Sequence, residues 1–179
     1  MTKMNDAYYE KLHQKVNKFG YTIMSIVSDE PESPEHGAYC YTIGLSNFGY
    51  PEILFADCYY DDVVGISDIL LNKAINGYIF DKFRKLKLAR TGSRFKPMEL
   101  QKGVKEELTE QAQRYFHLLR PQDEKYNLIY MGQADEFGLF PDEKVFVESK
   151  HIKKAFYMLC ASQNKKVTNL VLPTASIVQ

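Results

Sequence analysis

The chain has 179 residues, 45% of them hydrophobic and 26% charged, and its 23 basic and 23 acidic side chains cancel to zero net charge. This length holds one sizeable core, and the composition excludes a wholly disordered chain. Zero net charge removes the global electrostatic basis for nucleic-acid binding.

A helix is predicted over 5–18, where Tyr8, Leu12 and Val16 recur at four-residue spacing, with Asn5 or Asp6 as its cap and Gly20 as its stop. The β-branched run Tyr21 to Val27 reads as a strand, and Ser28 to Gly37, with two prolines and four acids, as a loop. Two further strands follow, Ala38–Leu45 and Glu52–Asp57, joined by a short loop. Connections this short favour an antiparallel meander, because a parallel crossover needs a dozen or more residues.

Asp61 and Asp62 are predicted to cap a helix over 62–76 that buries Val63, Ile66, Leu70 and Ala74. The stretch Tyr78 to Leu88 reads as a strand or edge ribbon with a charged face, and Phe95–Leu100 as a short strand that Pro97 confines to an edge. Val104, Leu108, Ala112, Tyr115, Phe116 and Leu119 predict one amphipathic helix ahead of Pro121. Asn127–Gln133 reads as a strand and Ala134–Pro141 as a turn. A last helix is expected from Ser149, and the apolar run Val167–Leu172 leaves an edge strand, a docked tail or a frayed one open. The pattern predicts an α+β fold: a single domain with a mostly antiparallel curved sheet and three to four packed helices. Its core spans 1–148, with a helix and tail extension over 149–179.

The motif Tyr41–Thr42–Ile43–Gly44–Leu45 is followed by Gly49–Tyr50–Pro51–Glu52 and, later, by Gln133, Asp135, Gly138 and Phe140–Pro141. With Gly20–Tyr21–Thr22, these residues resemble the bacterial and phage family called domain of unknown function 4262, over about residues 19–141. Tyr50 stands where that family has His, Gly132–Gln133–Ala134–Asp135 where it has Trp-Pro-Asp, and Asp142 where a Trp follows Phe-Pro. The resemblance implies a fold and a setting, and no activity.

Two places are candidates for chemistry. In the 39–52 hairpin, Gly44 permits positive φ or a close backbone approach, and Glu52 either faces a cleft or caps local amides. Tyr41, Thr42, Gly44, Tyr50 and Glu52 are the candidate ligand contacts there, and a hairpin that merely bends and packs explains the same residues. The stretch 82–102 is basic, and Arg90–Thr91–Gly92–Ser93–Arg94 suits an anion-binding turn or a solvated edge. Gln133 and Asp135 complete the candidate set.

Catalytic patterns are thin. His13, His36, His117 and His151 form no metal-binding motif, and a Cys40–His36 nucleophile–base pair is conceivable only from adjacency. Cys40, Cys58 and Cys160 are widely spaced without a CxxC, so neither a disulfide framework nor a zinc site is expected. No cofactor is expected either. Residues 1–6 carry no apolar signal, and no run reaches the ~18 residues of a membrane span, which points to a cytoplasmic protein without membrane contact.

The reading is a binding or interaction protein that holds a small anionic, nucleotide-like ligand or a partner peptide. A hydrolase or transferase with Glu52 or Asp135 as base and Arg90 or Arg94 on phosphate is the alternative. A homodimerisation module using the aromatic surface is a further one. Nucleic acid is not an expected partner.

Overall fold

A computed structural model of the chain describes residues 2–28, 39–56, 58–121, 125–143 and 175–177. The acidic loop with His36, the helix expected from Ser149 and the run Val167–Leu172 lie outside the described residues, as do His151 and Cys160.

The elements in chain order are α1 (Thr2–Phe19), β1 (Thr22–Ser28), β2 (Tyr39–Ile43), a 3-10 turn (Leu45–Phe48), β3 (Glu52–Ala56), α2 (Tyr60–Ile75), β4 (Leu86–Lys87), β5 (Arg94–Glu99), α3 (Val104–Leu108), α4 (Glu110–Leu119), β6 (Leu128–Gln133) and β7 (Ala175–Ile177). The strands form one open sheet in the order β4-β5-β6-β3-β2-β1-β7. The predicted antiparallel meander is present, with Met24 opposite Tyr41 and Tyr41 opposite Leu54. Among the described strands only β3 and β6 pair in parallel, with Glu52 opposite Leu128, and the long crossover between them carries α2, α3 and α4. The fold is α+β, as the residue pattern predicts.

Alternation along the strands sends side chains into two cores. On one face Tyr39, Tyr41, Ile43, Leu54 and Tyr130 meet α1, α3 and α4. On the other Ile53, Phe55, Phe95 and Met131 meet Val63, Ile66 and Leu70 of α2. No described helix is long and apolar enough to cross a membrane.

Three elements depart from expectation. Strand structure in the 78–88 ribbon is limited to Leu86–Lys87; Ile79 and Phe83 before it are 92% and 81% exposed, so no buried face drives pairing there. The single helix expected over 104–119 breaks at Thr109, whose hydroxyl donates back to the Lys105 carbonyl (2.7 Å) and pairs with the Tyr126 hydroxyl (2.6 Å). Local side-chain bonding of this kind competes with helix continuation. Asp61 and Asp62 are not caps: Tyr59 is the cap residue of α2, and both carboxylates lie inside the first turn. Pro97 is paired with Met131 on one side only, since β4 ends before reaching it, which is why the strand tolerates a residue without an N–H.

Candidate functional site

The sequence-predicted residues separate to opposite ends of the sheet. Glu52 and Leu128 pair at one end of β6, while Phe95 pairs with Gln133 at the other. Five strand steps at ~3.3 Å place those ends about 17 Å apart. Thr42, Gly44 and Glu52 cluster at the first end. Arg94, Gln133 and Asp135 lie at the second, together with the first turn of α2. Glu52 and Asp135 therefore do not form one catalytic pair, because a base and its partner must come within hydrogen-bond reach of the same atoms.

At the first end Glu52 is fully buried and accepts five hydrogen bonds. They come from the Thr42 hydroxyl (2.8 Å), the amides of Gly44 (2.9 Å), Leu45 (3.3 Å) and Ser46 (3.1 Å), and the Ser46 hydroxyl (2.7 Å). Burial pushes its carboxyl pKa up, and the donors from Gly44, Ser46 and Thr42 pull it back. Donors on every side suit a carboxylate and leave no acceptor for a carboxylic proton. The 3-10 turn begins at Gly44, so Glu52 gathers the amides at its start and reaches no cleft. Tyr41 is likewise buried and donates to Gln111 Oε1 (2.6 Å). Tyr50 donates to the Tyr78 carbonyl (2.8 Å) and packs edge-on against Phe80. These hairpin residues hold the fold together.

The anion-binding turn expected at 90–94 is organised differently. Arg90 is drawn to Asp61 of α2 (2.8 Å), and both side chains are 70% exposed. Arg94 lies across Gly138, where its guanidinium fills the space a Cβ would take. The turn closes on itself through Gly92 N–H to the Leu88 carbonyl (2.9 Å) and Leu88 N–H to the Ser93 carbonyl (2.9 Å). Asp135 organises its own loop by accepting the amides of Phe137 (3.0 Å) and Leu139 (2.8 Å).

An unforeseen residue connects this end. Asp62 is 1% exposed, and its Oδ2 accepts the Ser93 hydroxyl (2.6 Å) and, more weakly, Gln133 Nε2 (3.4 Å). One carboxylate oxygen thus ties α2 to the β4–β5 hairpin and to β6. Its Oδ1 is buried with no hydrogen-bond partner among the described residues. Asp62 also lines an open cavity of about 270 Å³, together with Asp61, Val64, Gly65, Leu88, Arg90 and Thr91. Gly65 lets the hairpin close on the helix, since a Cβ there would stand 3.0 Å from Leu88 Cδ2. The helix N-terminus favours negative charge at Asp62, and a buried acceptor without a donor requires a physical account. The sequence did hold a signal: Asp62, Ile66 and Leu70 follow one another at four-residue spacing, which puts a carboxylate on the buried stripe.

Among the described residues no group of three His, Cys, Asp or Glu side chains comes together to hold a metal ion. Cys40 is half-buried in β2 and its thiol is pushed up to about 12 by burial, which suits packing rather than nucleophilic attack. His36 lies outside the described residues. No protein-family model, no curated protein and no solved structure matches the chain. The likeness to the 4262 family accordingly rests on the motif residues alone.

Proposed function

We propose that the chain is a binding protein whose ligand enters the cavity between the first turn of α2 and the β4–β5 hairpin. One observation carries this reading: an open cavity of about 270 Å³ lies against the buried Asp62, whose carboxylate ties α2 to the β4–β5 hairpin and to β6. The location agrees with a general tendency of α/β units, in which ligands lie beyond the carboxyl ends of parallel strands, where the following helix starts. Here those strands are β3 and β6. The anionic, nucleotide-like ligand expected from the basic stretch has less support, because Arg90 is engaged by Asp61 and two carboxylates face the cavity with one guanidinium.

The test is a thermal-shift and native mass-spectrometry screen of the full chain against metabolites, nucleotides and amines, repeated on Thr91→Trp. Thr91 is exposed at the cavity wall and its hydroxyl donates to the Ser93 hydroxyl (3.0 Å), so the melting temperature of the variant without ligand is measured beside the screen. The expected result is a compound that stabilises the wild type and not the variant. Indifference of the wild type to the whole panel would overturn the reading.

A further inference from the structure

We infer that the surface formed by the end of α2 and the 78–84 segment docks an extended acidic segment of a partner protein, one that carries a small aliphatic or proline side chain between carboxylates. This surface lies at the opposite end of α2 from the cavity beside Asp62 and stands independently of it.

Two turns present apolar side chains to solvent here. α2 closes at Asn76 and Gly77 (φ 75°), and the amides of Asn76, Gly77 and Tyr78 take up the carbonyls of Asn72, Ala74 and Lys73. Asp81 turns the chain again, its Oδ1 accepting the Phe83 amide (2.9 Å) and its carbonyl the Arg84 amide (3.2 Å). Ile75, Tyr78, Ile79 and Phe83 are all largely exposed along this short run. Large apolar side chains gathered at the surface mark an interaction site, whereas single ones need no explanation.

A small cavity opens beside them. Phe80 packs edge-on against Tyr50 at 5.5 Å, and the Tyr50 hydroxyl donates to the Tyr78 carbonyl (2.8 Å). Together with Leu70, Leu86 and Pro97, these side chains line an open cavity of about 60 Å³. An apolar cavity that holds a benzene ring measures about 150 Å³, so this one admits an anchor of valine or proline size rather than an aromatic ring.

Charge selects the partner. Lys73, Asp81 and Arg84 complete the lining. Asp81 is engaged with the Phe83 amide, and among the described residues neither Lys73 nor Arg84 is paired with a carboxylate. Lys85 and Lys87 extend the positive side, while Lys82 is held by Glu99 at 2.7 Å. Two copies of this surface placed face to face would set like charges against each other, which disfavours a symmetric pair of this chain. Ile79 and an aliphatic-sized cavity give a nucleic acid little to stack on. An acidic segment meets both features: its anchor fills the cavity, and the carboxylates on either side reach Lys73 and Arg84. Both turns are hydrogen-bonded in the free protein, so docking orders little of this chain.

The experiment is an amide-resonance titration of the full chain with three capped peptides: Glu-Asp-Val-Asp-Glu, Glu-Asp-Gly-Asp-Glu and Lys-Lys-Val-Lys-Lys. The first is expected to perturb residues 70–86 and to bind about tenfold or more tighter than either of the others. Added salt should weaken it. Ile79→Ser and Arg84→Glu, both at exposed positions, should each weaken it by about tenfold, and Arg84→Glu should strengthen the lysine peptide.

Absence of binding by all three peptides at millimolar concentration overturns the inference. Equal binding of the valine and glycine peptides overturns the anchor, and equal binding of the acidic and lysine peptides overturns the charge selection. Sedimentation of the full chain supplies a further check: a dimer dispersed by Ile79→Ser makes a second copy the occupant and overturns the acidic partner. Binding to anionic vesicles or to a single-stranded oligonucleotide that Ile79→Ser abolishes overturns it likewise.

Discussion

The Thr42 hydroxyl donates to Glu52 Oε2 at 2.8 Å and accepts the amide of Ile53 at 2.9 Å, so its single proton has one possible direction. With that proton committed, Glu52 receives donors only. The pair locks the end of β2 to the start of β3 and holds the 3-10 turn between them.

Replacing either member should destabilise the fold without touching the proposed ligand site. Thr42→Val keeps the shape but leaves the Ile53 amide and one carboxylate oxygen short of a partner, an expected loss of about 2 kcal/mol. Glu52→Gln turns an amide NH₂ toward backbone donors and should cost about 3 kcal/mol or more. Urea unfolding checks both. Equal stability of Glu52→Gln and wild type would contradict this assignment of the donor ring.

Gly44 follows β2 at φ 125°, and a Cβ there would stand 2.6 Å from the Gly20 carbonyl oxygen. Gly44→Ala therefore combines a disfavoured backbone with a clash against main chain. The expected loss is about 3 kcal/mol or more, measurable as a lower urea midpoint. Wild-type stability in this variant would show that α1 and the hairpin need not approach so closely.

Alkaline stability draws on several groups whose pKa burial raises, Tyr21, Tyr41 and Tyr126 among them, and on β2 these include Tyr39 and Cys40. Burial raises the Tyr39 phenol from 10.0 to about 12 and the Cys40 thiol from 9.0 to about 12. In each case the folded state keeps its proton at pH values where the unfolded chain has lost it. The contribution of these two groups is therefore complete below about pH 9, falls as pH rises, and is largely lost once pH has risen through about 12. Tyr39→Phe gives up the bond from the hydroxyl to the Leu108 carbonyl (3.0 Å), and it should also flatten the decline above pH 10. Urea midpoints across pH 8 to 11 test this, and an unchanged slope in the variant would refute the assignment to Tyr39.

The two links between α2 and the β4–β5 hairpin should differ in strength. Arg90→Ala removes an exposed ion pair and should change stability by less than about 1 kcal/mol. Ser93→Ala removes the 2.6 Å donor to buried Asp62 and should cost about 1–3 kcal/mol. Denaturation midpoints of the two variants rank them, and a larger effect at Arg90 would reverse this ordering.

Much of the architecture was legible because local signals agreed with the burial they led to. Tyr8, Leu12 and Val16 mark α1, and Val63, Ile66 and Leu70 mark the buried face of α2, since periodic apolar residues are the ones the core takes up. The meander was readable from its short connections. Thr109 was not, because its helix-breaking bond needs Tyr126, seventeen residues away. The ribbon at 78–88 misled because alternation describes a strand only when one of its faces is covered.

For the site, the residue types pointed to the right neighbourhoods but not to the right roles. Capping of local amides by Glu52 was one of two readings that its motif left open, and the five donors around it selected that one. Asp62 read as a helix cap because a pair of acids before an apolar stripe usually is one. Its bond to Ser93 spans 31 residues, and its weaker contact with Gln133 spans 71. By itself, then, the sequence determined the α+β class, the meander and the apolar faces, all set by periodicity within a dozen residues. Tertiary structure alone decided that Glu52 and Asp135 lie at opposite ends of the sheet, that Arg90 answers Asp61, and that one oxygen of Asp62 is left facing inward without a donor among the described residues. Those outcomes depend on how far apart the sheet holds its ends and on which partners it brings across long stretches of chain. No local pattern encodes either.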